Sequence, residues 1–276
     1  VVGTSFKAGV GDKSYIENTR RMGLKEKWGW VIFVMMMVVV LGFGVNGCWG
    51  CLEKEKAALL NLKAVLKFAE PEYLASWKED EKSDCCEGWE GVGCGHNKRV
   101  QSLSVVGNYH RGSQLHFNAS ILLPLQDLRV LYLPWNCIGS WIESKGSTNS
   151  RSSLRKLERL DLGGNCLGSS IIQQLSGYHS LRNLSLPGTC ITGHVGLKDI
   201  DAISMNLKEL DLSYNDMAAF TTEHNETMKL ATTLTKLELL DLSGNDNLGN
   251  NIFSTVSALP SLKHLKLSET GLTGQI

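Results

Sequence analysis

Apolar and polar positions follow three different patterns along this chain. Val31 to Leu41, VIFVMMMVVVL, is apolar without a break. Further on, Ala58, Leu59, Leu62, Val65, Leu66 and Ala69 recur at helical intervals with lysines and glutamates opposite, which predicts an amphipathic helix that Pro71 stops. From Val100 a third pattern takes over: apolar-x-x-Leu-x-apolar-x-x-Asn. It reads VQSLSVVGN from Val100, LRVLYLPWN from Leu128, LERLDLGGN from Leu157 and LRNLSLPGT from Leu181. It continues as LKELDLSYN from Leu207, LELLDLSGN from Leu237 and LKHLKLSET from Leu262. The starts of these seven copies lie 28, 29, 24, 26, 30 and 25 residues apart, and self-similarity at that period predicts a solenoid.

The spacing dictates what each copy does. In L-x-x-L-x-L the last two leucines alternate along a short strand, so both point inward and their neighbours point out. One coil cannot bury its own leucines, so coils stack and their strands line up as one parallel sheet. Asn108, Asn136, Asn165, Asn215 and Asn245 stand where the strand turns a corner and can satisfy backbone groups there. A second signature comes after each corner: IGSWI at Ile138, LGSSI at Leu167, ITGHV at Ile191, LGNNI at Leu248 and LTGQI at Leu272, where a small residue allows a tight outer turn. Copy five departs, with Met217-Ala-Ala-Phe220. The long copies 128–156 and 207–236 must bulge, the first through the serine-rich stretch Glu143 to Ser153.

The first segment sets the compartment. Arg20, Arg21, Lys25 and Lys27 precede the apolar run, and Gly42, Gly44 and Gly47 come after it, as in a secretory signal peptide cut near Gly47 or after Gly50. The same stretch could instead serve as an uncleaved anchor, because Trp28 to Leu52 carries no charge and is long enough to span a bilayer. Either way, the chain beyond this segment lies outside the cytosol. Met22 is a conventional start for such a signal, so residues 1–21 read as an upstream extension. The organisation is then 1–27 extension and basic region, 28–47 signal core, 48–96 cap and 97–276 repeats, the seventh incomplete at Ile276.

Cysteines gather in the cap. Cys85, Cys86 and Cys94 surround Trp89, and Cys51 lies before the helix. Vicinal cysteines rarely bond to each other, so Cys85 and Cys86 take different partners, and the proposed pairs are Cys51–Cys85 and Cys86–Cys94. A zinc site is the rival reading, disfavoured by the secretory route and by the lack of a histidine at finger spacing. Cys48 forms C-x-x-C with Cys51, but no βαβ pattern surrounds it. Cys137, Cys166 and Cys190 come directly after the corner residue in successive copies and stack about 5 Å apart. One adjacent pair could bond, with free buried thiols as the simpler expectation.

The cap LEKEKAALLNLK…LASW…CCEGWEGVGC with LxxLxLxxNxLxGxI repeats after it resembles the extracellular domain of plant leucine-rich-repeat receptor-like proteins. The resemblance covers most of the chain. It implies an α/β-type solenoid with a curved parallel sheet on the concave side, irregular and 3-10 segments on the convex side, and a helical, disulfide-bonded N-terminal cap. It also implies recognition at the plasma membrane or outside the cell, in defence or development, with an extracellular protein, peptide or glycan as ligand and a co-receptor kinase as signalling partner. Such proteins usually continue to a C-terminal cap and a membrane helix, so a chain ending at Ile276 reads as truncated or as a fragment. The alternatives are a secreted inhibitor resembling polygalacturonase-inhibiting proteins and a non-functional truncated copy.

The charge balance, 28 basic against 28 acidic groups, excludes a nucleic-acid binder acting through its overall field. The seven histidines form no HExxH pair, and GxSxG, P-loop and GxGxxG motifs are missing, so neither catalysis nor a cofactor is expected. The repeat register places Arg129, Tyr132, Trp135, Arg159, Asp161, Arg182, Lys208, Asp211, Tyr214, Glu238, Asp241, Lys263, His264 and Lys266 on the concave face. Tyr132 and Trp135 are the first candidates for ligand contact, with Arg159, Arg182, Lys208, Tyr214, Lys263 and Lys266 beside them. The recurrent Asp of L-D-L belongs to the repeat and says less. Glycosylation sequons begin at Asn118, Asn183 and Asn225, and a glycan on Asn183 would obstruct the concave strand.

Overall fold

A computed structural model describes residues 50–66, 73–80, 82–107, 114–143, 154–221 and 234–273. The signal segment, the 1–27 extension, Cys48, Ala69, Pro71, Asn108, Asn225 and nearly all of the 143–153 stretch lie outside them.

The chain starts with helix α1 (Glu53–Leu66), which buries Ala58, Leu59, Leu62 and Leu66. Strand β1 (Val92–Cys94) runs antiparallel to β2 (Val100–Ser104) and closes the end of the sheet. Two disulfides, Cys51–Cys85 and Cys86–Cys94, tie the two ends of this cap together. Asp84 lies close to the first pair, but the two sulfurs are bonded to each other and so offer no thiolate to a metal. The Asp84 carboxylate instead accepts the Cys51 and Cys86 backbone N–H groups at 2.9 and 2.8 Å. Trp77 and Trp89 stack with centroids 5.4 Å apart. Glu55, on the inner side of α1, is fully buried: one oxygen takes the Arg99 guanidinium at 2.7 Å and the other the Val100 N–H at 3.3 Å. That buried pair holds the cap helix against the first coil.

Each copy then contributes one strand to the sheet and a return segment on the outer side. In chain order the elements are β3 (Leu115–Asn118), β4 (Val130–Tyr132), β5 (Ile138–Ile142), β6 (Arg159–Asp161), α2 (Ser170–Gln174), β7 (Asn183–Ser185) and β8 (Thr192–Gly196). They continue with α3 (Leu197–Ile203), β9 (Glu209–Asp211), β10 (Asp216–Thr221), β11 (Leu239–Asp241), α4 (Ile252–Val256) and β12 (His264–Lys266). The main sheet has eight strands in the order β1-β2-β4-β6-β7-β9-β11-β12, all parallel from β2 onward. Its register never slips between coils: Leu103, Leu131, Leu160, Leu184, Leu210, Leu240 and Leu265 lie side by side. From Leu103 to Leu240 these leucines are at most 1% exposed, each stabilising the stack by about 1.5–3 kcal/mol.

The outer side is more regular than the irregular and 3-10 segments expected there. Besides one 3-10 turn (Ala119–Leu122) it carries α2, α3 and α4 and a second tier of strands, β3 paired with β5 and β8 with β10. Stacked coils bring extended return segments to strand spacing, so their backbones pair wherever both neighbours stay extended. In copy three the chain after Gly168 coils instead, and α2 turns Ile171 and Ile172 inward. Met217 and Phe220 of the departing copy five are buried around a bulge in β10.

The corner asparagines bind coil to coil. Asn165 Oδ1 accepts the backbone N–H groups of Asn136 and Ile138 in the preceding coil, while its amide donates to Leu133 O and Leu162 O, all at 2.8–3.0 Å. Asn215 repeats the arrangement toward Thr189 and Ile191, and Asn245 toward Met217. Replacing Asn165 with alanine strands buried backbone groups on two coils. The variant is expected to lose about 3 kcal/mol of unfolding free energy in urea titrations, while Asn247→Ala, at an exposed site, stays within about 0.5 kcal/mol.

Candidate functional site

The open face of the sheet is built from four columns of residues. Two residues before each strand leucine stand Gln101, Arg129, Glu158, Arg182, Lys208, Glu238 and Lys263. On one side of the leucine row lie Val130, Arg159, Asn183, Glu209, Leu239 and His264, and on the other Tyr132, Asp161, Ser185, Asp211, Asp241 and Lys266. At the lip, one residue before each corner, stand Trp135, Gly164, Gly188, Tyr214 and Gly244. Together they shape a trough of about 350 Å³ over the middle coils, lined among others by Tyr132, Arg159, Asn183, Glu209 and Lys266.

Many of these side chains already have structural duties. The recurrent aspartates each accept the N–H two residues on: Asp161 from Gly163 at 2.8 Å, Asp211 from Ser213 at 2.9 Å and Asp241 from Ser243 at 3.1 Å. They brace the turn out of the strand, which is why the repeat retains them. Glu238 lies between Lys208 at 3.4 Å and Lys263 at 2.7 Å. Asp241 holds Lys266 at 3.0 Å, and Arg129 pairs with Glu158. Burial pushes the Asp241 carboxyl up, but the Lys266 and Ser243 hydrogen bonds outweigh it and hold the group below its ordinary range. At Asp161 burial wins: together with the nearby Asp211 charge it raises the carboxyl despite hydrogen bonds from Gly163 and Ser185. Among the described residues, Arg159 and Arg182 are exposed and make no ion pair.

The two large aromatics on the lip are held in a particular way. Trp135 and Tyr214 adopt positive φ, 61° and 53°, and are 48% and 63% exposed. Each ring lies over the lip glycine of the next coil. A Cβ on Gly164 would come within 2.7 Å of three Trp135 ring atoms, and one on Gly244 within 3.1 Å of the Tyr214 ring. The glycine leaves room for the ring to lie against the next coil, while each residue stays well exposed.

Comparison with known proteins fits this architecture. Residues 52–95 match the family described as leucine rich repeat N-terminal domain, and residues 153–176 and 204–219 match leucine rich repeat. Receptor-like protein 9a of Arabidopsis thaliana is 36% identical over 185 residues, covering 66% of this chain and 19% of the relative. Receptor like protein 21 of the same plant is 33% identical over 225 residues, covering 78% and 22%. This is a leucine-rich-repeat chain with plant receptor-like relatives. It spans about a fifth of the length of those relatives. Among solved structures, that of PEPR1-AtPEP1 aligns with a TM-score of 0.51 at 21% identity, over 79% of this chain and 28% of that one, a likeness of fold.

The structure of this leucine-rich-repeat chain separates the residues that its repeat register puts on one face. Lys208, Lys263 and Lys266 are engaged by carboxylates, Tyr132 is half-buried in the trough, and Trp135, Tyr214, Arg159 and Arg182 present themselves to solvent. The trough also takes Asn183, Ser185 and Glu209, and Glu158 pairs with Arg129, none of which was singled out as a contact residue from the sequence. Their positions in the repeat were the available signal. Asn118 is exposed on β3, and its side chain accepts the Ser120 N–H at 3.0 Å, whereas Asn183 lies in the trough; Asn225 is outside the described residues.

The cysteine column requires a correction. Cys166 and Cys190 are bonded and exposed, not free buried thiols. The position after the corner faces the side of the stack, where solvent reaches it, and the coil spacing leaves their Cα atoms 5.0 Å apart, within bonding range. Cys137, one coil earlier, is bonded to neither of them.

The Asp161 geometry gives a pH prediction. A carboxyl raised in the folded state costs stability above its folded pKa, and that cost disappears below the unfolded value. Asp161→Asn keeps an acceptor for Gly163, so it is expected to raise the melting temperature at pH 7, with the gain gone by about pH 3. Thermal unfolding at the two pH values checks both signs.

Proposed function

We propose that these coils are part of the ligand-recognition region of a plasma-membrane receptor-like protein and hold an extracellular protein or peptide along the open, concave face of the sheet. The carrying observation is that one face holds both a pair of exposed rings on glycine seats at its lip, Trp135 and Tyr214, and two guanidinium groups, Arg159 and Arg182, that no carboxylate engages among the described residues. Rigid aromatics beside arginines bind with little loss of side-chain freedom, which is how interface anchors work. Three disulfides and the apolar leader support an oxidising, extracellular location. The receptor-like relatives support a receptor role, and the proposal includes a separate kinase at the membrane as the signalling partner.

A capture experiment from plant extracellular fluid tests this. Trp135→Ala and Arg182→Glu are each expected to reduce recovery of the same bound species about tenfold or more. Met205→Ala, at an exposed residue in the turn before β9, should leave recovery unchanged. Equal recovery by all three would overturn the assignment of the face. Peptide mapping of the secreted protein gives a second check: a glycan is expected on Asn118 and none on Asn183, and occupancy of Asn183 would close the trough.

A further inference from the structure

A coil junction in the middle of the stack lacks the asparagine hydrogen bonds that hold the junctions on either side of it. Copies two, three, five and six place asparagine at the corner: Asn136, Asn165, Asn215 and Asn245. Each donates its amide to a backbone carbonyl of the coil before it, at 2.8–3.1 Å. Copy four has Thr189 there instead. Its hydroxyl donates to Leu186 O of its own coil at 2.8 Å, and no hydrogen bond from it reaches coil three among the described residues. The Leu167 N–H, which an asparagine carbonyl would take, turns back to Asn165 O at 3.0 Å. The backbone is not the reason: Gly188, before Thr189, has φ of 59°, close to the 53–68° of Trp135, Gly164, Tyr214 and Gly244 before the asparagines. An asparagine would fit, and its rung is simply missing.

At this same junction the next residue on each coil is a cysteine, and Cys166 and Cys190 are bonded. We propose that this disulfide replaces the missing asparagine rung between coils three and four, and that its exposure makes the junction a redox-sensitive clasp. Closing the 24-residue separation covalently restricts the unfolded chain and joins the two coils where an asparagine's hydrogen bonds would have joined them. Unlike an amide, the bond can be opened without unfolding. A small dithiol attacks one sulfur and displaces the other as a thiolate. It then closes on itself, giving up two electrons, and two protons leave Cys166 and Cys190 as thiols. Both of these sulfurs belong to exposed residues, while in the cap Cys85 is fully buried and Cys51, Cys86 and Cys94 are partly covered. Mild dithiol therefore opens the clasp before the cap. The junction joins Arg159 to Arg182 and carries the Gly164 seat, so loosening it would disturb the middle of the open face.

The fold contains its own control. Copy seven also has threonine at the corner, Thr270, whose hydroxyl returns to Leu267 O at 2.9 Å, and the next residue is Gly271 in place of a cysteine. Among the described residues that junction has neither rung nor clasp.

Hydrogen exchange on the full chain tests the proposal. The Gly164 and Gly168 amides cross the junction to Pro187 O and Thr189 O at 2.8 and 2.9 Å. In the Cys166→Ser, Cys190→Ser double variant both should exchange about tenfold faster or more, and the Tyr214 amide, at the asparagine-held junction of coils five and six, should not change. Adding Thr189→Asn to the double variant should bring Gly164 and Gly168 back to within about twofold of the parent. Mild dithiol on the unaltered chain should reproduce the double variant with the cap disulfides still closed by mass mapping. Unchanged exchange in the double variant and on mild reduction, or no recovery on adding Thr189→Asn, would overturn the proposal.

Discussion

The side-chain amide of the corner asparagine is the constraint on which the rest of the molecule depends. Leucine burial drives the coils together, but hydrophobic contact has no direction and would tolerate sliding. A hydrogen bond tolerates little: a carbonyl oxygen shared by two N–H groups of the preceding coil must sit within about 3 Å of both. Asn165 and Asn215 meet that requirement on coils of different length, and the strands between them keep one register from Ser102 to Lys266. Once register is set, each outward residue has a fixed neighbour on either side. The open face is a consequence of the corners.

That fixed order also explains how the charges on the face are spent. The aspartates after the strand leucine hold their own turns, and three of the lysines share two carboxylates. Such exposed pairs contribute little stability, but they neutralise one another locally. The two lip rings and the two guanidinium groups, which no ion pair engages among the described residues, stay exposed on that face. A chain that is neutral overall thus carries an uneven pattern of paired and unpaired charge on this face.

Much of the fold could be read from leucine spacing, because a two-residue alternation inside a 24–30-residue period leaves few ways to bury the side chains. The helix α1 was legible for the same reason, its apolar positions falling at helical intervals. The outer tier was not. IGSWI and LGSSI look alike, yet one is strand β5 and the other leads into helix α2, because the choice rests on whether the neighbouring coil offers an extended partner. Placing three cysteines in one column was possible from the repeat, but their exposure depends on which way the chain leaves the corner. The glycine seats were hidden for another reason. Gly164 and Gly244 read as ordinary turn residues, and only their nearness to rings 29–30 residues earlier in the chain gives them a second role.

Those seats have a consequence for how such a surface can vary. The orientation of the Trp135 indole is encoded in two places, the aromatic in coil two and the bare backbone of Gly164 in coil three. Exchange of coil three for another copy of the repeat, say one with tyrosine at that place, would evict the indole without touching it. Duplication or swapping of single repeats therefore breaks the arrangement, whereas coils inherited as adjacent pairs preserve it. The unit of change for this face is two coils long.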